Sequence, residues 1–411
     1  MLAASRTDEK ATLSWPLYAA LALTIGFYCL DYFIRIAPGA VTNQLMSQYH
    51  TSPQGLGNFA SAFYWGYVLF QLPCGYILER YPLQKVLVYS IALCTLSFIG
   101  FIYADIYWVG YLFRWLVGLS SAFSFISVLY LARCFFPERY FGLISGIAIS
   151  AGTLAGSLVQ VLAAYTMHNV DWHSSFLLIS GWGIVISMVL ILPVFSLLNT
   201  RQSNVISNTD HSLSQQIKHL FSNHRFWVNG IVAGLFYLPT SILAAAWGIT
   251  LLQVNYQVPL ETASEGILCL FIGWAVGAPL VGYMSARFKK QSLIIGIHAL
   301  LAALTSIVLI YYPLQNYALL LMFLLGLFSS AQVLVWRIFS QICPLSMSGV
   351  GVALTNMLIM SGGALFHSLV GGLLTHADRN TITYQDLAHS LWLIPTAFLL
   401  TACLGQLFLK E

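Results

Sequence analysis

Apolar runs of 18 or more residues recur from one end of this 411-residue chain to the other. Such a run, with few charges, is long enough to cross the roughly 30 Å hydrocarbon core of a bilayer as an α-helix, where about 20 residues suffice. A barrel strand would need only about ten residues and would alternate in hydropathy. These runs do neither. Charged residues make up 7% of the chain and hydrophobic ones 59%, against about 25% charged in a soluble domain, so the chain cannot cover a water-facing surface. The expected fold class is an all-α membrane protein.

Twelve spans can be drawn: roughly 14–38, 57–78, 84–104, 107–134, 142–165, 175–198, 226–252, 262–283, 291–312, 316–340, 348–374 and 389–409. The polar start, MLAASRTDEKAT, is followed by a run without a small-residue cleavage signature, which predicts a retained first helix. One long polar segment, 199–225, reads as a cytoplasmic linker with a short surface helix around Leu213–Phe221. With the N-terminus inside, thirteen Lys and Arg residues fall on the inner side and only Arg379 in an outer loop. That asymmetry predicts cytoplasmic termini in an inner or plasma membrane.

The two halves repeat. GYILERYPLQK at 75–85 aligns with GYMSARFKKQS at 282–292, an offset of 207 that also relates Pro137 to Pro344, Gly142 to Gly349 and Gly156 to Gly363. The expectation is two six-helix bundles from one duplication, residues 1–198 and 226–411, joined by the linker at 199–225. In such parallel repeats the substrate site lies between the halves near the midplane. The seven cysteines are scattered, without CxxC or zinc-like spacing, so neither a disulfide framework nor a metal site is expected, and no cofactor. A formal charge of +4 spread over loops gives no nucleic-acid surface.

These features together resemble the major facilitator superfamily. The loop after the second span keeps Gly75, Ile77, Glu79 and Arg80 of that family's G-x-L-x-D-R-x-G-R-K pattern. It then departs, with Pro82 at the second glycine, and Leu83 and Gln84 in place of the basic pair before Lys85. The second-half copy keeps Gly282 and Arg287 but has Ala286 at the acidic position. Arg114–Gly118 fits the fourth-helix R-x-x-x-G element, and FPERYFG at 136–142 is similar to the family's segment after that helix. The stretch 61–81 and DYFIRIAPGAV resemble nutrient and organic-anion uptake branches. GVALTNMLIMSGGALFHSLVGGLL resembles a bacterial group that includes phagosomal amino-acid and nucleoside transporters. Helix 5 reads GIAISAGTLAGS, without the GP-x-x-GG pattern of drug:proton antiporters. The resemblance implies twelve helices, alternating access and a conformational gate built on Gly75, Glu79, Arg80, Gly282 and Arg287, with Arg133 or Arg139 as charge partners.

The chemistry should reside in the first span, where Thr24, Tyr28, Asp31, Tyr32 and Arg35 recur at steps of three and four. That spacing makes one polar stripe, which in a membrane must face the bundle interior. Asp31 lies about 25 Å along its helix, and Arg114, entering from the other side, reaches a similar depth. Asp31 can therefore pair with Arg35, with Arg114, or with both. Asp31 and Arg114 are the candidate proton-coupling groups, and Asp31, Arg35 and Arg114 are candidate substrate contacts, because an intramembrane carboxylate beside an arginine can trade a proton against a substrate anion. The bland alternative is a structural i,i+4 pair. The resemblance adds Tyr28, Tyr32, Tyr64, Tyr237 and Trp247 as substrate contacts, since the first, second and seventh helices line its cavity. Gln332 and Asn356 are polar candidates for substrate contact or for joining helices. Glu261 and Glu265 read as a solvated rim, Arg337 as an interface anchor, and His298 and His367 as hydrogen-bonded structure before proton relays.

The expected function is secondary active, proton-coupled import of a small polar nutrient, such as an amino acid or related carboxylate, by a monomer in the bilayer. The alternatives are a metabolite or siderophore exporter working by proton antiport, and a non-transporting sensor. No catalytic spacing suggests an enzyme.

Overall fold

In a membrane a backbone can satisfy its polar groups only within its own segment, so each apolar run closes into a helix. The computed structural model describes residues 15–136, 141–166, 171–190, 192, 220–288, 290–343, 348–375 and 382–409, and among these all regular structure is helical. Twelve rods follow in chain order: α1 (Trp15–Ile36), α2 (Pro53–Arg80), α3 (Leu83–Ile102), α4 (Tyr107–Phe135), α5 (Phe141–Thr166) and α6 (Trp172–Leu190). The second set is α7 (His224–Tyr256), α8 (Leu260–Phe288), α9 (Gln291–Tyr311), α10 (Ala318–Ile342), α11 (Ser348–Thr375) and α12 (Tyr384–Phe408). Most of the linker at 199–225, including most of its expected surface helix, lies outside the described residues.

Ten of the rods are long and apolar enough to cross a membrane on their own, and α5 carries a shorter apolar stretch, Ile144–Leu158. The exception, α2, carries Asn58, Ser61, Tyr64, Tyr67 and Gln71 toward its neighbours, which lowers its apolarity.

Three helices break where the sequence expectation drew continuous rods. Pro38 lacks an N–H, and the chain leaves α1 through a 3₁₀ turn, Ala37–Ala40. Pro239 opens a π-helical segment of α7, Pro239–Trp247, and α10 tightens to 3₁₀ geometry at Ser330–Val333. Helix α12 starts five residues earlier than expected, because Thr383 and Asp386 form a capping box at its N-terminus.

Close helix approach uses glycine, as expected where lipid gives no hydrophobic drive for association. A Cβ on Gly66 would strike the Trp115 backbone, and one on Gly118 the Phe63 backbone, so α2 and α4 cross at near contact. The second half repeats the crossing: Gly273 meets the Phe323 backbone and Gly326 that of Leu270. Gly273 stands 207 residues after Gly66, and Gly326 stands 208 after Gly118. The duplication read from the sequence is therefore repeated in the packing.

The described chain ends, at Trp15 and Leu409, fall at one end of the bundle, since twelve rods alternate in direction. Hydrogen bonds join the halves at the opposite end. Gln54 N–H donates to Thr375 Oγ1 (2.9 Å), Ser61 and Ser368 share a bond of 2.9 Å, Tyr165 donates to Glu265 (2.7 Å), and Thr42 meets Thr250 at 3.3 Å. Gly57 and Gly371 press α2 and α11 together along the same seam.

Candidate functional site

The spacing of α1 places Asp31 and Arg35 on one face, one turn apart. Arg35 donates from Nη2 to Asp31 Oδ2 at 2.7 Å, and both side chains are sealed from solvent, at 1% and 0% exposure. Ser124 of α4 donates to the same oxygen at 2.9 Å. The other carboxylate oxygen, Oδ1, has no hydrogen-bond partner. Aromatic faces surround the guanidinium: its carbon lies 4.6 Å from the Tyr32 ring centre, 5.2 Å from Tyr67 and 5.3 Å from Phe63. Cation–π attraction of this kind strengthens when water is excluded.

Arg35 also bridges the halves. Its Nη1 donates to the Tyr237 hydroxyl of α7 at 2.9 Å, and Met360 Sδ of α11 lies 3.9 Å away. Tyr237 in turn meets the Tyr32 hydroxyl at 3.2 Å, so one cation joins the first helix of each half. Beneath it, Asn356 of α11 donates to Tyr67 (3.3 Å) and to Gln71 Oε1 (3.2 Å) of α2.

Arg114 departs from expectation. It is equally buried, at 1% exposure, but its two Nη groups donate to the backbone carbonyls of Ile34 and Arg35, at 2.5 and 2.7 Å, and not to Asp31. The reason lies in the chain. Pro38 has no N–H to offer the Ile34 carbonyl, so the end of α1 leaves carbonyls that need another donor. The guanidinium fork supplies two hydrogen bonds and rests 4.9 Å from the centre of the Phe63 ring. Of the two arginines, Asp31 therefore pairs with Arg35.

Other expected contacts divide. Tyr28 stacks on Phe125 at 5.0 Å and meets Tyr32 edge-on at 5.1 Å, beside Gly152 of α5. Tyr64 is buried next to the cluster with its hydroxyl unpaired. Gln332 is not brought in: the 3₁₀ turn of α10 sends its amide to the Ala233 carbonyl of α7, at 3.4 Å. Trp247 is fully buried in the π-helical segment and forms no hydrogen bond or ring contact with the Asp31–Arg35 cluster. His298 Nδ1 donates to the Ile294 carbonyl (2.9 Å), a local structural bond, whereas neither ring nitrogen of His367 finds a well-aligned hydrogen bond, with the Ser241 backbone nearby.

At the termini end, nothing lies within 4 Å of a Cβ built on Gly75 or Gly282, so both glycines of the repeated loop motif face open space. Arg80 rests over its own helix neighbour Tyr76, at 4.3 Å, and Arg287 is exposed at the end of α8. Arg139 and the side chains of Glu79 and Arg133 lie outside the described residues.

Sequence reading passed over Ser124, Tyr67, Gln71, Phe63 and Met360. A signal existed for several of them. Tyr64, Tyr67 and Gln71 follow at steps of three and four on α2, and the serine-rich stretch SSAFS sits in the middle of an otherwise apolar α4. The half-to-half asymmetry is just as legible: Leu238, Ile242 and Met322 stand at the repeat positions of Asp31, Arg35 and Arg114.

A twelve-helix bundle of two repeated halves, with a sealed ion pair on the seam between them, has the architecture of a secondary transporter. The chain belongs to the Major Facilitator Superfamily, whose family model matches residues 21–367. It is similar to the uncharacterized transporter YybO of Bacillus subtilis (strain 168), at 25% identity with 88% of each chain covered. It is also similar to the probable galactarate/D-glucarate transporter GudP of Escherichia coli (strain K12), at 22% identity with 86% of each covered. Among solved structures, a bacterial homologue of the human lysosomal transporter Spinster superposes with a TM-score of 0.77 at 13% identity, covering 96% of this chain and 97% of that one. A D-xylose–proton symporter superposes with a TM-score of 0.75 at 14% identity, covering 95% and 97%. The protein is thus a multi-pass membrane transporter and not an enzyme.

Proposed function

We propose that this transporter imports a small carboxylate together with a proton, and that a hydroxylated organic acid is a better candidate than an amino acid. The carrying observation is the buried Arg35, held by Asp31 through a single oxygen while it reaches the second half at Tyr237. A guanidinium fork matches a carboxylate geometrically, and a neutral, protonated Asp31 releases it to bind one. The free Oδ1 of Asp31 is the place for that proton. Loss of the proton restores the Asp31–Arg35 pair and expels the anion, which couples the two fluxes. The relatives named for galactarate and D-glucarate favour an acid over a zwitterion, because no second buried carboxylate stands beside Asp31 among the described residues to hold an ammonium group.

The mechanism proposed is alternating access of a monomer, with residues 1–198 and 226–411 rocking about the seam and 199–225 as the connecting segment. The excess of basic residues expected at the termini end supports a cytoplasmic location for that end, and an inner or plasma membrane for the protein. The hydrogen bonds at the opposite end then close the external side. The degenerate gate motif takes the same role at the cytoplasmic side.

The test is transport by purified protein in proteoliposomes. Uptake of D-glucarate should accelerate when the outside is acidified, and Asp31→Asn should abolish accumulation while sparing counterflow. Accumulation that ignores the proton gradient would defeat the coupling.

A further inference from the structure

Two polar side chains beside the ion pair lack a well-aligned hydrogen-bond partner, and together they suggest what else the site reads. Tyr64 of α2 and His367 of α11 are both 0% exposed, and their rings lie 5.3 Å apart at an interplanar angle of 32°. Neither the Tyr64 hydroxyl nor either His367 ring nitrogen makes a well-aligned hydrogen bond, although the Ser241 backbone of α7 stands near the imidazole. Buried polar atoms are nearly always paired, and one left unpaired in a native fold calls for an explanation. Three such atoms on two touching rings are more than a packing lapse.

Their place narrows the explanation. Tyr64 follows Phe63, whose ring lies 4.9 Å from the Arg114 guanidinium and 5.3 Å from that of Arg35. Tyr64 also stands within the field of Arg35, Arg114 and Asp31. Gly363 gives up a side chain so that α11 can lie against the Tyr64 ring, and Ser61 and Ser368 close the seam just beyond. The pair therefore straddles the α2–α11 seam beside the cationic cluster, one ring from each half.

The chemistry is that of a hydroxyl reader. A phenol both donates and accepts, and a neutral imidazole offers one donor and one acceptor. A carboxylate can only accept, so it would leave two acceptors unpaired. An alcohol does both and matches them. We infer that Tyr64 and His367 form a neutral subsite that reads hydroxyl groups on the carbon chain of a substrate whose carboxylate is held at Arg35. This deepens the carboxylate reading above and rests on it.

Two six-carbon diacids separate the possibilities, D-glucarate with its four hydroxyls and adipate with none. Their apparent dissociation constants are measured by ligand-induced thermal stabilisation of the purified full chain. Wild type should bind D-glucarate at least about tenfold more tightly than adipate. Tyr64→Phe and His367→Leu should each cut that ratio by about three- to tenfold, chiefly through D-glucarate, and His367→Gln, which keeps a donor and an acceptor, should retain most of it. Equal losses for both diacids, or a ratio unmoved by Tyr64→Phe, overturn the hydroxyl subsite and leave the carboxylate reading standing. Binding of neither diacid by wild type overturns both. Should His367→Leu fail to fold, Tyr64→Phe and His367→Gln decide the matter.

Discussion

Arg35 and Arg114 lie on the same aromatic ring, Phe63, yet their work differs because their partners differ. Arg35 meets a carboxylate and a phenol, both of which a substrate can replace. Arg114 meets peptide carbonyls, which no substrate can replace without unwinding α1. Arg114 is therefore a positioning residue that holds the broken end of α1, and with it Arg35, in place. Arg114→Gln should lower thermal stability. Two hydrogen bonds from a charged donor contribute about 1.5–3 kcal/mol each, so a loss of several °C in the unfolding midpoint is expected, and an unchanged midpoint would argue against the assignment. The sequence made both arginines visible, since charge stands out in an apolar helix. Their division of labour was not visible, because it depends on Pro38 ending α1 opposite α4, a contact between segments some 80 residues apart.

Helices in this protein are held by where glycine is, and the packing separates glycines that matter from those that do not. A methyl on Gly118 would run into the Phe63 backbone, whereas one on Gly75 would touch nothing. Gly118→Ala should therefore wedge α4 from α2 and reduce folded protein on size-exclusion chromatography. Gly75→Ala should be neutral or slightly stabilising, by up to about 1 kcal/mol, as for a helical glycine with open space around it. Sequence patterning found the twelve rods because hydropathy is local and each rod is long. It missed the π-helical and 3₁₀ breaks in α7 and α10, which depend on how a rod packs at mid-length. The early start of α12 was legible in Thr383 and Asp386, three residues apart at the head of the run.

The whole molecule is closed along the α2–α11 seam, where the bonds between the halves occupy the two-thirds of α2 nearest Pro53, from Gln54 to Gln71. If this seam must part for substrate to enter, a covalent clamp there should stop turnover. Ser61→Cys with Ser368→Cys, in a background free of native cysteines, joins positions whose hydroxyls are 2.9 Å apart. Oxidation should abolish proteoliposome uptake and reduction should restore it; undiminished uptake by the fully crosslinked protein would mean that the seam does not open. The duplication itself was legible as a run of matches at one offset, and its packing counterpart is the pair of glycine crossings. The seam was not legible, because it pairs residues about 300 positions apart with no shared motif.

The two halves match in shape but not in charge: Asp31, Arg35 and Arg114 have Leu238, Ile242 and Met322 as their counterparts. An ancestral two-fold machine has thus kept its symmetric hinge while its ionic grip has collected on one jaw. The opposing jaw reaches that grip through neutral atoms, the Tyr237 hydroxyl and the Met360 sulfur. Under the proposed coupling, selection can then reshape the neutral jaw to suit a new cargo without touching the Asp31–Arg35 pair, so that substrate choice and proton drive would evolve separately.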